Sequence, residues 1–224
     1  MECQRISVMD NCKMENPWID LPTLEPFVLP CDAIVLNCAA PAHLLFNHLP
    51  VPFNGARDAA VVLLMLNPGG GSKDPSADYV SQCRKRLTFE SRVPFMSLDD
   101  TFAEMHGAIY WRQRLRMLID RVGIDKVRRQ LLCLQYFPYQ SKTYKPLAET
   151  LPSQEFGFEL CREAIRDRRL IVFMRSRKLW ESAVPELKRV EAIELKNPRS
   201  PYLTPKNIPG DGFDRIVRTL EAAP

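Results

Sequence analysis

Three side-chain amides stand where an apolar run gives way to a polar turn: Asn67, Gln135 and Asn197. Asn67 follows the apolar run from Val61 to Leu66 and opens Asn67-Pro68-Gly69-Gly70-Gly71. Pro68 cannot continue a strand ladder, and the glycines let the backbone approach a ligand closely. Gln135 ends Leu131-Leu132-Cys133-Leu134 and leads into Tyr136-Phe137-Pro138-Tyr139-Gln140-Ser141-Lys142. A third apolar run, Leu170-Ile171-Val172-Phe173-Met174, opens directly into Arg175-Ser176-Arg177-Lys178. A fourth, from Val190 to Leu195, opens into Lys196-Asn197-Pro198-Arg199-Ser200-Pro201-Tyr202. Amides can donate and accept at once, and guanidiniums bind anions, so these four turns suit a polar, anionic ligand.

The elements that must position them follow from periodicity. Ala59 to Leu66 reads as a strand buried on both faces. A helix is expected over 74–86, with Asp74 as cap and Pro75 at its first position. Ser91 to Ser97 is a loop, and a long helix is expected from Leu98 to Val122, with Asp99, Asp100 and Thr101 as capping residues and Gly123 as its stop. Further strands are expected at 130–135, 170–174 and 190–195. Helices are expected at 153–167 with Ser153 as N-cap, after Lys178 through Trp180, and at 212–222 with Phe213, Ile216, Val217 and Leu220 on one face. Alternating strands and helices imply an α/β fold, a three-layer α-β-α arrangement around a four-stranded, mainly parallel sheet. Parallel strands send all four turns to one edge, the edge where ligands bind in open α/β sheets. Residues 1–58 are punctuated by Pro17, Pro22, Pro26 and Pro30, with one convincing short strand or helix at 33–45. They are expected to wrap the 59–224 core as an irregular part of one domain spanning 1–224.

The set of turns resembles the uracil-DNA glycosylase superfamily. Leu66-Asn67-Pro68-Gly69 is similar to the Asn-Pro-Gly turn of the single-strand-selective and mismatch-specific uracil glycosylases. Val93-Pro94-Phe95 resembles the Val-Pro-Phe of the former group, whose Phe stacks on the flipped base. Leu134-Gln135-Tyr136-Phe137-Pro138 lies where the family has an Asn that reads the uracil edge. Val172-Phe173-Met174-Arg175-Ser176 resembles apolar residues followed by Gly-Ser, so Arg175 departs from the family's Gly. Asn197-Pro198-Arg199-Ser200-Pro201-Tyr202 resembles a signature loop that is often His-Pro-Ser-Pro-Leu, with Asn first in the mismatch-specific group.

The resemblance implies hydrolysis of an N-glycosidic bond in DNA, a step in DNA repair that follows base flipping. Cleavage leaves an oxocarbenium-like sugar and an anionic base. Asn67 would orient the water, since an amide is no general base near neutral pH. Asn197 would donate to the leaving base in the manner of an oxyanion hole. Phe95 would stack, Gln135 would read the base edge, and Gly69 would make room for the nucleotide. Arg175, Ser176, Lys178, Arg199 and Ser200 would hold phosphates, and Tyr202 would wedge into the stack. Bland alternatives stand beside each role: a turn residue for Asn67, a core ring for Phe95, a strand-end amide bonded to backbone for Gln135, and turn initiation for Asn197-Pro198. Gln135 is also one methylene longer than the family's Asn. A catalytically silent DNA-binding relative and a hydrolase or binder of free nucleotides are the rival functions.

The totals are permissive. With 224 residues, 46% hydrophobic and 26% charged, the chain has the size and composition of one soluble domain. Its net charge of +4 mildly favours an anionic partner, DNA under this reading. Clusters such as Arg112, Arg114 and Arg116 read as solvated helix faces. There is no long apolar run and no secretory h-region. No membrane association is therefore expected, and a monomer in the cytoplasm, nucleoid-associated or nuclear in a eukaryote, is. Seven cysteines without a CxxC, and the histidines His43, His48 and His106, give no metal-ligand pattern, so neither metal nor cofactor is expected. Ser72-Lys73 follows Gly71 in the wrong order for a P-loop, and there is no GxSxG.

Overall fold

The computed structural model describes residues 15–39, 42–70, 76–88 and 93–224. The expected Asp74-Pro75 cap, Gly71, and the start of the expected loop, Ser91 and Arg92, lie outside the described residues. The fold is α/β. Its strands are β1 (Phe53–Gly55), β2 (Val61–Met65), β3 (Leu131–Gln135), β4 (Leu170–Phe173) and β5 (Ile193–Glu194). Its helices are α1 (Pro30–Ala39), α2 (Ala77–Thr88), α3 (His106–Val122), α4 (Ile124–Gln130), α5 (Gln154–Arg166), α6 (Arg177–Ala183) and α7 (Gly212–Ala222).

The sheet has five strands in the order β1-β3-β2-β4-β5, not four. β2 pairs in parallel with β3 and β4, and β4 with β5, while β1 runs antiparallel on the β3 edge. The extra strand spans only Phe53-Asn54-Gly55, too short for any period to register. Gly55 has φ 113°, and a Cβ there would stand 2.0 Å from the Leu131 carbonyl oxygen, so glycine is required where the two backbones meet.

All residues of β2 and β3 are buried, as their unbroken apolar runs require. Their side chains alternate between two cores. Val62, Leu64, Leu132 and Leu134 join Phe156, Leu160 and Trp180 of α5 and α6. Val61, Leu63, Leu131 and Cys133 join Leu115, Leu118, Val127, Ile216 and Leu220 of α3, α4 and α7. Each fully buried Leu or Val contributes about 1.5–3 kcal/mol through lost apolar hydration. Helices therefore cover both sheet faces, as three layers demand.

Several boundaries differ from the periodicity. The expected 98–122 helix is broken: 3-10 turns occupy Met96–Leu98 and Asp100–Phe102 before α3 starts. Asp99 accepts from the Thr101 N–H and so caps the second short turn instead of a long helix. Gly123, at φ 83°, ends α3 and is followed at once by α4, which holds the residues before β3. Ser153 is not a side-chain cap: it has helical φ/ψ, and its N–H is taken by Asp32 Oδ1 at 3.0 Å. Residues 15–58 are only partly irregular, since they supply α1 and β1. Among the described residues no helix is long and apolar enough to cross a membrane.

Candidate functional site

The turns after β2, β3, β4 and β5 lie on one sheet edge and are bonded to one another. Tyr136 and Phe137 donate backbone N–H bonds to Met65 O (3.1 Å) and Leu66 O (2.8 Å), and Arg175 donates to Leu64 O (3.2 Å). Trp180 Nε1 reaches Met65 O at 2.7 Å and pins α6 to the end of β2.

Asn67 is half-buried, and its Nδ2 donates to Ser141 Oγ at 2.8 Å and to Pro68 O at 3.0 Å. Ser141 itself is buried and bridges to Gly69, with Ser141 N–H to Pro68 O at 3.4 Å and Gly70 N–H to Ser141 O at 3.3 Å. The amide is thus clamped by its nitrogen, which fixes where its oxygen lies. Gly69 is exposed, and among the described residues nothing lies within 4 Å of a Cβ placed on it, so their packing does not demand glycine there.

Gln135 extends from the end of β3 and is 8% exposed. Among the described residues, its Nε2 meets the Cys133 sulfur at 3.9 Å and its buried Oε1 has no partner. A buried acceptor without a donor costs about 1–3 kcal/mol. The bland alternative, a side chain bonded to backbone, is therefore not what this residue does.

Phe95 is 0% exposed and meets Trp111 edge-on, with ring centres 5.1 Å apart and planes at 82°. Its N–H donates to Arg128 O at 2.8 Å. The expected free face for a base is missing, because Trp111 of α3 and the surrounding core enclose the ring.

On the other two turns, Arg175 is half-buried and its Nη2 donates to Arg199 O at 3.2 Å. Ser176 has left-handed backbone, φ 59° and ψ 38°, at the start of α6. Lys178 is exposed, whereas Arg177 is held by Glu181 and Glu194, each at 2.7 Å. A hollow of about 270 Å³ lies here, lined by Phe173, Arg175, Ser176, Lys178, Glu194 and Pro198. Asn197, Arg199 and Ser200 are exposed. Asn197 Oδ1 accepts from Arg199 N–H (3.2 Å) and Ser200 N–H (3.3 Å), which leaves Nδ2 as the donor for anything beyond the turn. Tyr202 does not stand free as a wedge: the Arg114 guanidinium covers its ring at 4.8 Å.

Sequence reasoning missed four residues of this edge. Asn207 shapes the last turn, accepting from Asn197 N–H at 2.8 Å and donating to Ser200 O and Tyr202 O at 3.1 and 3.0 Å. Ser141 holds Asn67, and Arg114 of α3 lies over the rings of both Tyr110 and Tyr202. A lone Asn, a loop Ser and a helix-face Arg carry no spacing signal. Tyr110 is pushed upward in pKa by burial, an effect that the charges of Arg175 and Arg114 oppose. Among the described residues no cluster of His, Cys, Asp and Glu side chains is arranged to hold a metal ion.

A larger hollow of about 700 Å³ lies at the opposite sheet edge, against Ala60, Leu170, Arg168 and Arg218. It sits at the amino ends of β2 and β4, and its arginines Arg169 and Arg215 pair with Asp167 and Glu191. Size favours it; strand polarity and the orphaned Gln135 favour the carboxyl edge, where the polar groups converge. Comparison of the chain with protein-family models, with curated proteins and with solved structures found no match in any of the three.

Proposed function

We propose that this protein hydrolyses the N-glycosidic bond of uracil or a related damaged base turned out of DNA, on a fold of the uracil-DNA-glycosylase kind. The observation that carries the reading is the buried, unpartnered Oε1 of Gln135 at the carboxyl edge of the sheet. A base edge entering beside it would bring the ring N–H that this acceptor lacks, and Nε2, held only by the weak Cys133 sulfur contact, could turn to a base carbonyl. Asn67, clamped through Nδ2, would present its oxygen to the attacking water. Asn197 Nδ2 would meet charge developing on the leaving base. The open side of Gly69 would leave room for the nucleotide, while Ser176, Lys178, Arg199 and Ser200 would meet backbone phosphates.

The enclosure of Phe95 favours a second reading, in which the same edge binds an extruded base without cutting it, for want of a stacking face. Oligonucleotides carrying uracil, hypoxanthine, xanthine or hydroxymethyluracil decide between them. The wild type is expected to release one of these bases, and Asn197→Ala to slow release by about 100-fold or more. Gln135→Leu is expected to lose the preference among bases. Preferential binding of a modified strand without release would support the second reading. Undiminished cleavage by Asn67→Ala would remove the water-orienting role.

A further inference from the structure

Arg114 of α3 is held between two rings. Its guanidinium carbon lies 3.9 Å from the centre of Tyr110, one helical turn back, and 4.8 Å from that of Tyr202, in the turn after β5. Such stacking fixes the plane of the fork while leaving its edge able to donate. Its Nη1 donates to Gln113 Oε1 at 2.9 Å and to Tyr110 O at 3.4 Å, and its Nε is buried without a partner.

Arg175 reaches the same turn after β5 from the turn after β4. It is half-buried, donates through Nη2 to Arg199 O at 3.2 Å, and also has a buried Nε without a partner. Orphaned Nε atoms occur on Arg86, Arg112 and Arg128 too, but Arg112 and Arg128 satisfy their charge on Asp100 and Asp99, and Arg86 is sealed in the core with Nη2 on the Pro50 carbonyl, away from these turns. Among the described residues, no ion pair to a carboxylate is formed by Arg114 or Arg175. Both guanidiniums reach the turn after β5, Arg175 at the Arg199 carbonyl and Arg114 at the Tyr202 ring three residues further on. Two half-buried guanidiniums that share a neighbourhood and lack a counter-ion repel, and one anion between them would reverse the sign of that interaction.

We propose that Arg114 and Arg175 form a two-arginine clamp for a single phosphate group, with Tyr110 and Tyr202 holding the Arg114 fork in place. A tetrahedral phosphate has oxygens enough to accept from two forks at once, which a lone carboxylate matches less well. The clamp rests on the proposed function only in assigning that phosphate to a DNA strand, beside the base met by Gln135.

The test measures binding of a short, lesion-free single-stranded oligonucleotide, and separately of deoxyuridine monophosphate, across a salt series. Arg114→Gln and Arg175→Gln are each expected to weaken oligonucleotide binding whatever the sequence and to reduce the slope of log K against log salt by about one. Arg114→Lys is expected to keep the slope but lose affinity, because it retains charge without the fork. Thermal melts check folding, and Arg175→Gln, on a surface turn, carries the test alone if Arg114→Gln unfolds. Wild-type slopes in both glutamine variants, or no binding of either ligand by the wild type, would overturn the clamp. Equal affinity for the free nucleotide and the strand would overturn the assignment to DNA. A wild type with the expected slopes that releases no base leaves the clamp standing and removes the glycosylase.

Discussion

Ser141 is the least conspicuous residue of the site and the one on which the placement of Asn67 depends. Its hydroxyl accepts from Asn67 Nδ2 at 2.8 Å, and its backbone bonds both Pro68 and Gly70. Removing the hydroxyl leaves those backbone bonds in place. Ser141→Ala is therefore expected to cost only about 1 kcal/mol of stability, the net worth of one hydrogen bond. It should nonetheless lower base release well beyond that change, because the Asn67 amide would gain alternative rotamers. Melting temperature and single-turnover release, measured on the same preparation, check this. Equal losses in both would make Ser141 merely structural. Tyr110 and Arg114 teach a related lesson about single residues. In the sequence Arg114 is one of three alternate arginines on a helix, and nothing separates it from Arg116, whose partner Asp120 is at 3.8 Å on the same exposed face. Only the fold brings Tyr202 to one of them.

At the level of elements, the long apolar runs were legible because a strand buried on both faces has no other reading. β2, β3 and β4 fall within the expected spans, and α7 matches its amphipathic stretch residue for residue. What stayed hidden is short or set by tertiary contact. β1 owes its existence to the β3 edge and to Gly55, and Phe95 is covered by Trp111, which follows it by many residues. Asp99 shows how a local polar residue overrode helical periodicity. Burial alone would raise its carboxyl; the Thr101 N–H and hydroxyl and the charges of Arg128 and Arg112 outweigh that and hold it below the usual carboxylate range. A depressed folded pKa means that the stabilisation is present above the unfolded value of about 3.9 and is lost as pH falls through the lower folded value. Asp99 also pairs with Arg128, so it ties the 3-10 turns to α4. Asp99→Asn is expected to lower stability at neutral pH and to flatten the acid limb of the stability curve below pH about 4. Thermal melts from neutral to acid pH test this, and an unchanged acid limb would show that other carboxylates set it.

For the whole molecule, the segment before the core is a working part of the site's support. Asp32 at the start of α1 is completely buried and accepts from Tyr139 Oη at 2.7 Å and from the Ser153 N–H at 3.0 Å. The Tyr139 hydroxyl in turn accepts from the Leu29 N–H at 3.1 Å. Tyr139 lies two residues before Ser141, so a chain of contacts runs from the N-terminal segment through Asp32 and Tyr139 to the turn that clamps Asn67. Asp32→Ala would strand a buried hydroxyl and a buried N–H at once, each costing about 1–3 kcal/mol. Such a loss is a large part of the stability of an ordinary domain. The variant is expected to unfold at lower urea with an unchanged m-value, and its Ser141 and Gly70 amides, which close the turn, to exchange faster than those of β2. Asp32→Asn, which keeps one acceptor oxygen, should fall between the alanine variant and the wild type. If the urea midpoint drops but exchange at Ser141 stays at its wild-type rate, Asp32 stabilises the wrap alone. If both move together, the N-terminal segment holds the Asn67 turn in place, and removing it would loosen that turn even in a core that still folds.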